Sequence, residues 1–154
     1  MKLEGLEVNM DRNIVNKNSS SCNCINVRRA SQAITEVYDK FLAPSNLNVG
    51  KFSLLKHISQ LGPVSVSDLA IIIRLDRTTL VRNLKPLEEN GLVRDISIEG
   101  SRNRQLKLTD KGVDVYRSAE QLWEKAQKFF EEYLGIDNIN TLTAILSKIE
   151  ALVP

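Results

Sequence analysis

Across residues 76–108 the hydrophobic pattern changes period once, and that change constrains the fold more than any other feature of the chain. Leu80, Leu84 and Leu87, with Val81 beside them, recur at three and four, the spacing of a helix buried along one side. Asp76 is placed to cap the start of this helix, and Gly91 to end it as a left-handed residue. Beyond it the pattern alternates. Val93, Asp95 and Ser97 fall on one face, Arg94, Ile96 and Ile98 on the other, and Leu106 and Leu108 follow. Two short strands joined around residues 99–103, with Gly100 in the turn, make a hairpin. Pro86 lies inside the helical stretch, where it removes a backbone donor, so the spacing predicts a kinked or shortened helix held by its contacts with the rest of the protein.

Helical spacing also marks the flanking sequence. One helix runs from Val27 through Ala30, Ala33, Ile34, Val37, Tyr38 and Phe41 and stops at Ala43-Pro44. A second starts after the N-cap Asn48, carries Phe52, Leu55, Ile58 and Leu61 inward, and ends at Gly62-Pro63. Ser65, with Asp68 three residues on, opens a short third helix through Val66, Leu69, Ala70 and Ile73. After the hairpin, Thr109 caps a long helix bearing Tyr116, Ala119, Leu122, Trp123, Ala126, Phe129, Phe130 and Tyr133. Gly135 ends it, and Asp137 is expected to cap a last one with the stripe Ile139, Leu142, Ile145, Leu146, Ile149 and Leu152. The fold class is therefore mainly α with a small β-hairpin wing: the element order of a winged helix-turn-helix with helical flanks. The division that follows is an N-terminal extension over 1–21, an N-terminal helix over 22–48, a winged helix-turn-helix domain over 49–110, and C-terminal helices over 111–154.

Charge points to the same third of the chain. The net charge is only +2, but residues 74–107 hold eight Lys/Arg against five Asp/Glu. On a wheel centred on Leu80 and Leu84, Thr78, Arg82 and Lys85 point away from the core, with Thr79 and Asn83 on the flanks. That residue set suits a DNA major groove: Arg pairs with a guanine edge, Asn with adenine, and Thr with phosphate or a thymine methyl. The same face would also be stable simply solvated. Ser65, Ser67 and Arg77 at the neighbouring helix starts, and Arg102, Asn103 and Arg104 in the hairpin, complete the candidate DNA contacts.

The segments "SDLA", "LDRTTLVRNLKPLEENGLV" and "RQLKLTDKG" resemble those of MarR-type transcriptional regulators. The segment "CNCINVRRASQAITEVYDKFLAP" followed by "FSLLKHISQLGPVSVSDLA" resembles the N-terminal half of a subgroup of them. The resemblance implies a homodimeric repressor or activator on a palindromic operator in double-stranded DNA, relieved by a small-molecule effector or by oxidation. In such proteins the first helix and the last two make the dimer, which implies a helical dimerisation region over 22–48 and 111–154 and a DNA-binding domain over 49–110; the helix after Asp76 reads the major groove, and the wing enters the adjacent minor groove. Four positions depart from the pattern. Gly100 stands where the wing commonly has Asp two residues before its Arg; Arg74 stands where Gly often separates the two helices, and so must take a left-handed conformation or another turn; and Ile71 and Ile72 stand at positions usually polar.

Other chemistries are poorly served. There is no phosphate-cradling Gly-rich loop and no cluster of carboxylates or histidines at ligand spacing, and one His serves no nucleophile, so an enzyme is not expected. His57 and two thiols are too few for a tetrahedral zinc site, and neither metal nor cofactor is implied. Cys22 and Cys24, near Arg28 and Arg29, have the spacing and setting of a redox pair, although reduced structural cysteines are the commoner case inside cells. Trp123, Phe129, Phe130 and Tyr133 read as a core or dimer seam. No apolar run approaches the roughly 18–20 residues that cross a bilayer, and the first twenty residues lack a secretory pattern, so no membrane partner and a cytoplasmic location are expected. The competing reading is a winged-helix protein-interaction adaptor that uses Ile71 and Ile72 as its contact patch.

Overall fold

The leucine stripe of residues 77–89 lies at the centre of the fold, with Leu80 and Leu84 fully enclosed and Leu87 keeping 1 % of its surface. The structure is a computed structural model and describes residues 2–3, 6–7 and 20–153. The rest of the expected 1–21 extension, and with it the reading of the first twenty residues as non-secretory, lies outside the described residues. Two compact units divide the chain, residues 1–35 and 36–154.

In the first unit β1 (Lys2–Leu3) pairs antiparallel with β2 (Leu6–Glu7), Lys2 opposite Glu7. Helix α1 (Asn23–Leu42), whose residues 36–42 belong to the second unit, starts earlier than the apolar run from Val27 suggests. Its polar start is held by Asn26, whose Nδ2 donates to the Ser20 carbonyl at 2.8 Å while its Oδ1 accepts the Ser20 N–H at 2.9 Å.

The second unit holds the core. Helix α2 (Val49–Leu61) is capped as expected, Asn48 Oδ1 accepting the Lys51 N–H at 2.9 Å, and Asp39 takes the Val49 N–H at 2.6 Å. Phe52, Leu55 and Ile58 are buried, whereas Leu61, expected on the same stripe, stays 43 % exposed at the helix end. Helices α3 (Val66–Ile72) and α4 (Arg77–Glu89) follow, and Leu69, Leu80, Leu84 and Leu87 pack with α2 around one cluster. Helix α4 continues past Pro86 to Glu89 without interruption. A helix-interior proline costs about 3 kcal/mol, but burying each leucine of the stripe is worth about 1.5–3 kcal/mol, so tertiary burial wins. The helix ends in a Schellman arrangement. Gly91, at φ +69°, donates to Glu88 O at 2.9 Å, Leu92 donates to Leu87 O at 2.9 Å, and both leucines are buried.

The wing is built on three strands, one more than the sequence pattern shows. Strand β5 (Gln105–Leu108) lies between β4 (Val93–Asp95) and a two-residue β3 (Val64–Ser65), all antiparallel. Leu106 faces Asp95 on one side and Val64 on the other, and Val93 faces Leu108. β3 is too short to display a period, and the residues that join it to the sheet are also those that start α3. Residues 96–104 loop outward with Gly100 at φ +81°, and Ile98 is left 87 % exposed at the tip.

Helix α5 (Asp110–Leu134) is capped by Thr109, whose Oγ1 accepts the Gly112 N–H at 2.9 Å and donates to Gly91 O at 2.6 Å. Its aromatic side chains divide between core and surface. Phe52 stacks between Tyr116 and Trp123 at 5.8 and 5.9 Å, Phe129 is buried against Phe41, and Tyr133 is 45 % exposed. Helix α6 (Ile136–Glu150) corrects one expectation: its N-cap is Gly135, at φ +83° with no side-chain cap bond, and Asp137 sits in the first turn instead. There its charge complements the helix dipole without acting as a cap. No residue of α6 is buried, and Ile136, Ile145, Ile149 and Leu152 stand 42–78 % exposed. Among the described residues no helix is long and apolar enough to cross a membrane.

At Gly112 a Cβ would lie 2.0 Å from the Leu92 carbonyl, whereas at Gly50 it would meet only Asn48 Oδ1 at 3.6 Å. Gly112→Ala is therefore expected to destabilise by about 3 kcal/mol, the upper range of overpacking, and Gly50→Ala to stabilise by roughly 0.5 kcal/mol. Urea unfolding of the two variants at equal protein concentration checks the opposite signs.

Candidate nucleic-acid interface

The exposed side of α4 is the complement of its leucine stripe. Thr78, Arg82 and Lys85 are exposed, Thr79 and Asn83 half-buried. Asp76 organises the entrance: its Oδ1 accepts the Thr79 N–H at 2.9 Å and its Oδ2 accepts the Thr79 hydroxyl at 2.5 Å. Those bonds hold the Asp76 carboxyl below the ordinary carboxylate range. They also occupy the hydroxyl proton of Thr79, which leaves that residue only acceptor capacity. Arg77 reaches back to α3, Nη1 to Ser67 Oγ at 3.3 Å, so two candidate contacts are linked at the edge of the face. Lys85 lies 3.8 Å from Glu89 one turn on, a solvated pair that leaves the lysine side chain 73 % exposed. Arg82 and Thr78 have no hydrogen bond or ion pair among the described residues. Arg82, Asn83 and Pro86 line a cavity of about 170 Å³ with Asn48, Gly50, Lys51 and Leu54, on the side where Pro86 lacks an N–H.

Ser65 is placed differently from the other candidates. It is 4 % exposed, its Oγ donates to Asp68 Oδ2 at 2.6 Å and accepts the Asp68 N–H at 3.0 Å, and its backbone belongs to β3. Its chemistry is spent on starting α3. Ser67, two residues on, is exposed.

In the wing, Arg102 and Asn103 are exposed. Ser101 Oγ accepts the Asn103 N–H at 3.2 Å and shapes the tip, while the Arg102 guanidinium is without a partner among the described residues. With Gly100 in place of an Asp, nothing on the tip holds it. Arg104 is not at the tip. Its Nε donates to Asp95 Oδ2 at 3.0 Å and its Nη2 to Glu88 Oε1. Partial burial disfavours its charge, but the two carboxylates outweigh that and raise its pKa. For Asp95, desolvation acts upward and is overcome by bonds from Ser97, Arg104 and the Gln105 N–H, which leaves the carboxyl at about 2. Sequence reading missed this network; the signal for it was three opposite charges at 88, 95 and 104, split between a helix and the two arms of a hairpin.

The turn between α3 and α4 resolves another alternative. Arg74 takes the left-handed conformation, φ +54°, and its Nη1 donates to Glu150 O at 3.1 Å. Ile71 and Ile72 are exposed, 75 and 47 %, as their departure from the polar pattern suggests. His57 Nδ1 lies 2.7 Å from the Ser53 carbonyl one turn back on α2.

A sequence model of the MarR family matches residues 47–102. The transcriptional regulator MosR of M. tuberculosis, solved in complex with DNA, is 33 % identical and superposes with a TM-score of 0.74 over 87 % of this chain and 100 % of that one. This chain belongs to the MarR family. The transcriptional repressor CouR, solved on a 23-mer DNA duplex, is 26 % identical, with a TM-score of 0.77 over 84 % of this chain and 92 % of that one. An uncharacterized HTH-type transcriptional regulator of Bacillus subtilis, YwoH, is 27 % identical over 109 residues, 71 % of this chain and 77 % of its own length. MarR-family proteins are transcription regulators that act as dimers, and the winged-helix fold expected from the element order is the one observed.

The acid limb of this MarR-family fold follows from Asp76 and Asp95. Both carboxyls titrate below their ordinary value of 3.8 in the folded chain, Asp95 at about 2. The stabilisation is therefore present above that ordinary value and lost as pH falls through it toward the folded value. Thermal midpoints measured between pH 5 and 2.5 are expected to fall less steeply for Asp95→Asn than for the wild type.

Proposed function

We propose that this MarR-family chain is a homodimeric repressor that binds a palindromic operator in double-stranded DNA through α4 and the wing. The observation that carries the reading is the unspent face of α4. Thr78, Arg82 and Lys85 stand exposed on a helix whose opposite side is fully enclosed, and Arg102, equally unspent, stands on the wing. Arg82 and Asn83 are the candidates for base edges, Thr78, Lys85 and Arg77 with Ser67 for the phosphate backbone beside them, and Arg102 and Asn103 for the adjacent groove. Thr79 accepts from a donor in the groove while its proton stays on Asp76. Ser65 and Arg104 support the face from behind.

The division of labour is 49–110 for DNA and 22–48 with 111–154 for the dimer. Two symmetric α4 helices then read half-sites about 34 Å apart. The exposed apolar side of α6 supports the second assignment. A small molecule, or oxidation at the exposed thiols of Cys22 and Cys24, supplies the input that alters the α4–α4 spacing. The protein works in the cytoplasm without catalysing a reaction. The adaptor reading rests on Ile71 and Ile72 alone and leaves the cationic face without a role.

Anisotropy titrations of the dimer against duplexes selected from a random library, repeated from 50 to 200 mM salt, test this. Arg82→Ala is expected to weaken the selected duplex by about 1–3 kcal/mol and relax the preference at one position. Arg102→Ala is expected to lower the log–log salt slope by about one. A wild-type protein that selects no sequence and binds equally at all salt concentrations would refute the reading.

A further inference from the structure

Arg104 joins three elements at one point. It stands just before β5, its Nε donates to Asp95 at the end of β4, and its Nη2 donates to Glu88 in the last turn of α4. The three side chains retain only 28–30 % of their surface, so solvent screens this network less than it screens the Lys85–Glu89 pair, which is 73 and 62 % exposed. Asp95 is saturated by the arrangement: Oδ2 takes Arg104, and Oδ1 takes the Ser97 N–H at 2.9 Å and the Gln105 N–H at 3.1 Å. The base of the wing is thereby cross-tied between both arms, and Arg104 ties that base to the helix.

The rest of the wing has little else to orient it. Past Asp95 the arms share the bond from Ile96 N to Gln105 O at 2.8 Å, and the tip closes on itself through Ser101 N to Ile98 O at 2.9 Å. Ile98 is 87 % exposed. A planar guanidinium with forked donors fixes direction as well as distance, which a lysine ammonium does not.

We propose that Arg104 is a positioning residue for DNA recognition: by gripping Glu88 and Asp95 together it sets the angle between α4 and the wing, so that Arg82 and Arg102 reach their grooves at the same time. The inference rests on the DNA-binding reading given above. Arg104 itself touches no phosphate. Its two carboxylates are acids on the rim of a cationic face, and the clamp holds them neutralised there.

Electrostatics and positioning predict opposite signs for one substitution. Glu88→Gln removes a negative charge beside DNA; if charge alone mattered, it would tighten every duplex. The clamp predicts that it weakens the library-selected duplex by roughly fivefold and leaves binding to a scrambled duplex equal or tighter. Arg104→Gln is expected to weaken the selected duplex to a similar degree with an unchanged salt slope, in contrast to Arg102→Ala, and Arg104→Lys to fall between it and the wild type. Independently of DNA, hydrogen exchange in the full-length dimer should show faster exchange at the Ser97 and Gln105 amides in Arg104→Gln, with the amides around Leu84 unchanged. Tighter binding of both duplexes by Glu88→Gln, a slope lowered by about one in Arg104→Gln, or unaltered exchange at Gln105 would each overturn the clamp while leaving the regulator reading in place. Absence of any duplex preference in the wild type would remove both.

Discussion

Enclosing Leu80, Leu84 and Leu87 leaves the other residues of α4 very little choice. With three of thirteen helical positions fixed inward, the 3.6-residue period turns Thr78, Arg82 and Lys85 outward, and the same burial carries the helix past Pro86. The stripe also sets where α4 stops. Leu87 and Leu92 are both buried across the Gly91 turn, so the chain leaves the helix directly into β4 and the wing springs from the end of α4. A change in how α2 and α3 cover the stripe would therefore move the exposed face of α4 and the root of the wing together.

Most of this was legible because each element announces itself locally. Asn48, Asp76 and Thr109 cap the helices they were expected to cap, and Gly91 ends α4 as a left-handed residue. What escaped was non-local or short. β3 exists only because Val64 finds Leu106 across forty-two positions of sequence, and two residues have no period to display. Asp137 was a reasonable cap by type, but Gly135 turns the chain so abruptly that α6 begins before it. For the candidate interface, outward direction was readable from the helical wheel, whereas the use of each side chain was not. Thr79 and Ser65 spend their hydroxyls on Asp76 and Asp68, and Arg104 spends its fork on two acids. Polar residues at helix starts satisfy orphan backbone donors before they do anything else, and sequence spacing cannot distinguish that duty from ligand contact.

The local charge balance of 74–107 understates the asymmetry of the folded surface. Of its five acids, Asp76 is turned to the α4 N-terminus, Asp95 and Glu88 are gripped by Arg104, and Glu89 lies against Lys85, so Glu99 alone is left without a partner among the described residues. The cations Arg82, Arg102 and Lys107 have no such partners there. Folding thus sorts a segment of modest net charge into a face on which the uncommitted groups are mainly positive, which is the distribution a polyanion responds to at short range.

Helix α6 presents the opposite case, an apolar stripe with little to cover it. None of its residues is buried within the chain and, of the stripe, only Ile139 is half-buried, so the apolar surface it leaves in water gains free energy wherever it is covered. Its C-terminal end is tied to the turn between α3 and α4 through Arg74. A non-glycine residue in the left-handed region is held at a cost of about 1–2 kcal/mol. Here the left-handed turn directs a guanidinium to Glu150 O at the end of α6, a carbonyl that also accepts the Val153 N–H at 3.4 Å, where the helix dipole favours a cation. Arg74 is two residues from Asp76, the cap of α4. The end of α6 and the start of α4 are thus joined by one side chain across a turn whose left-handed residue is not a glycine.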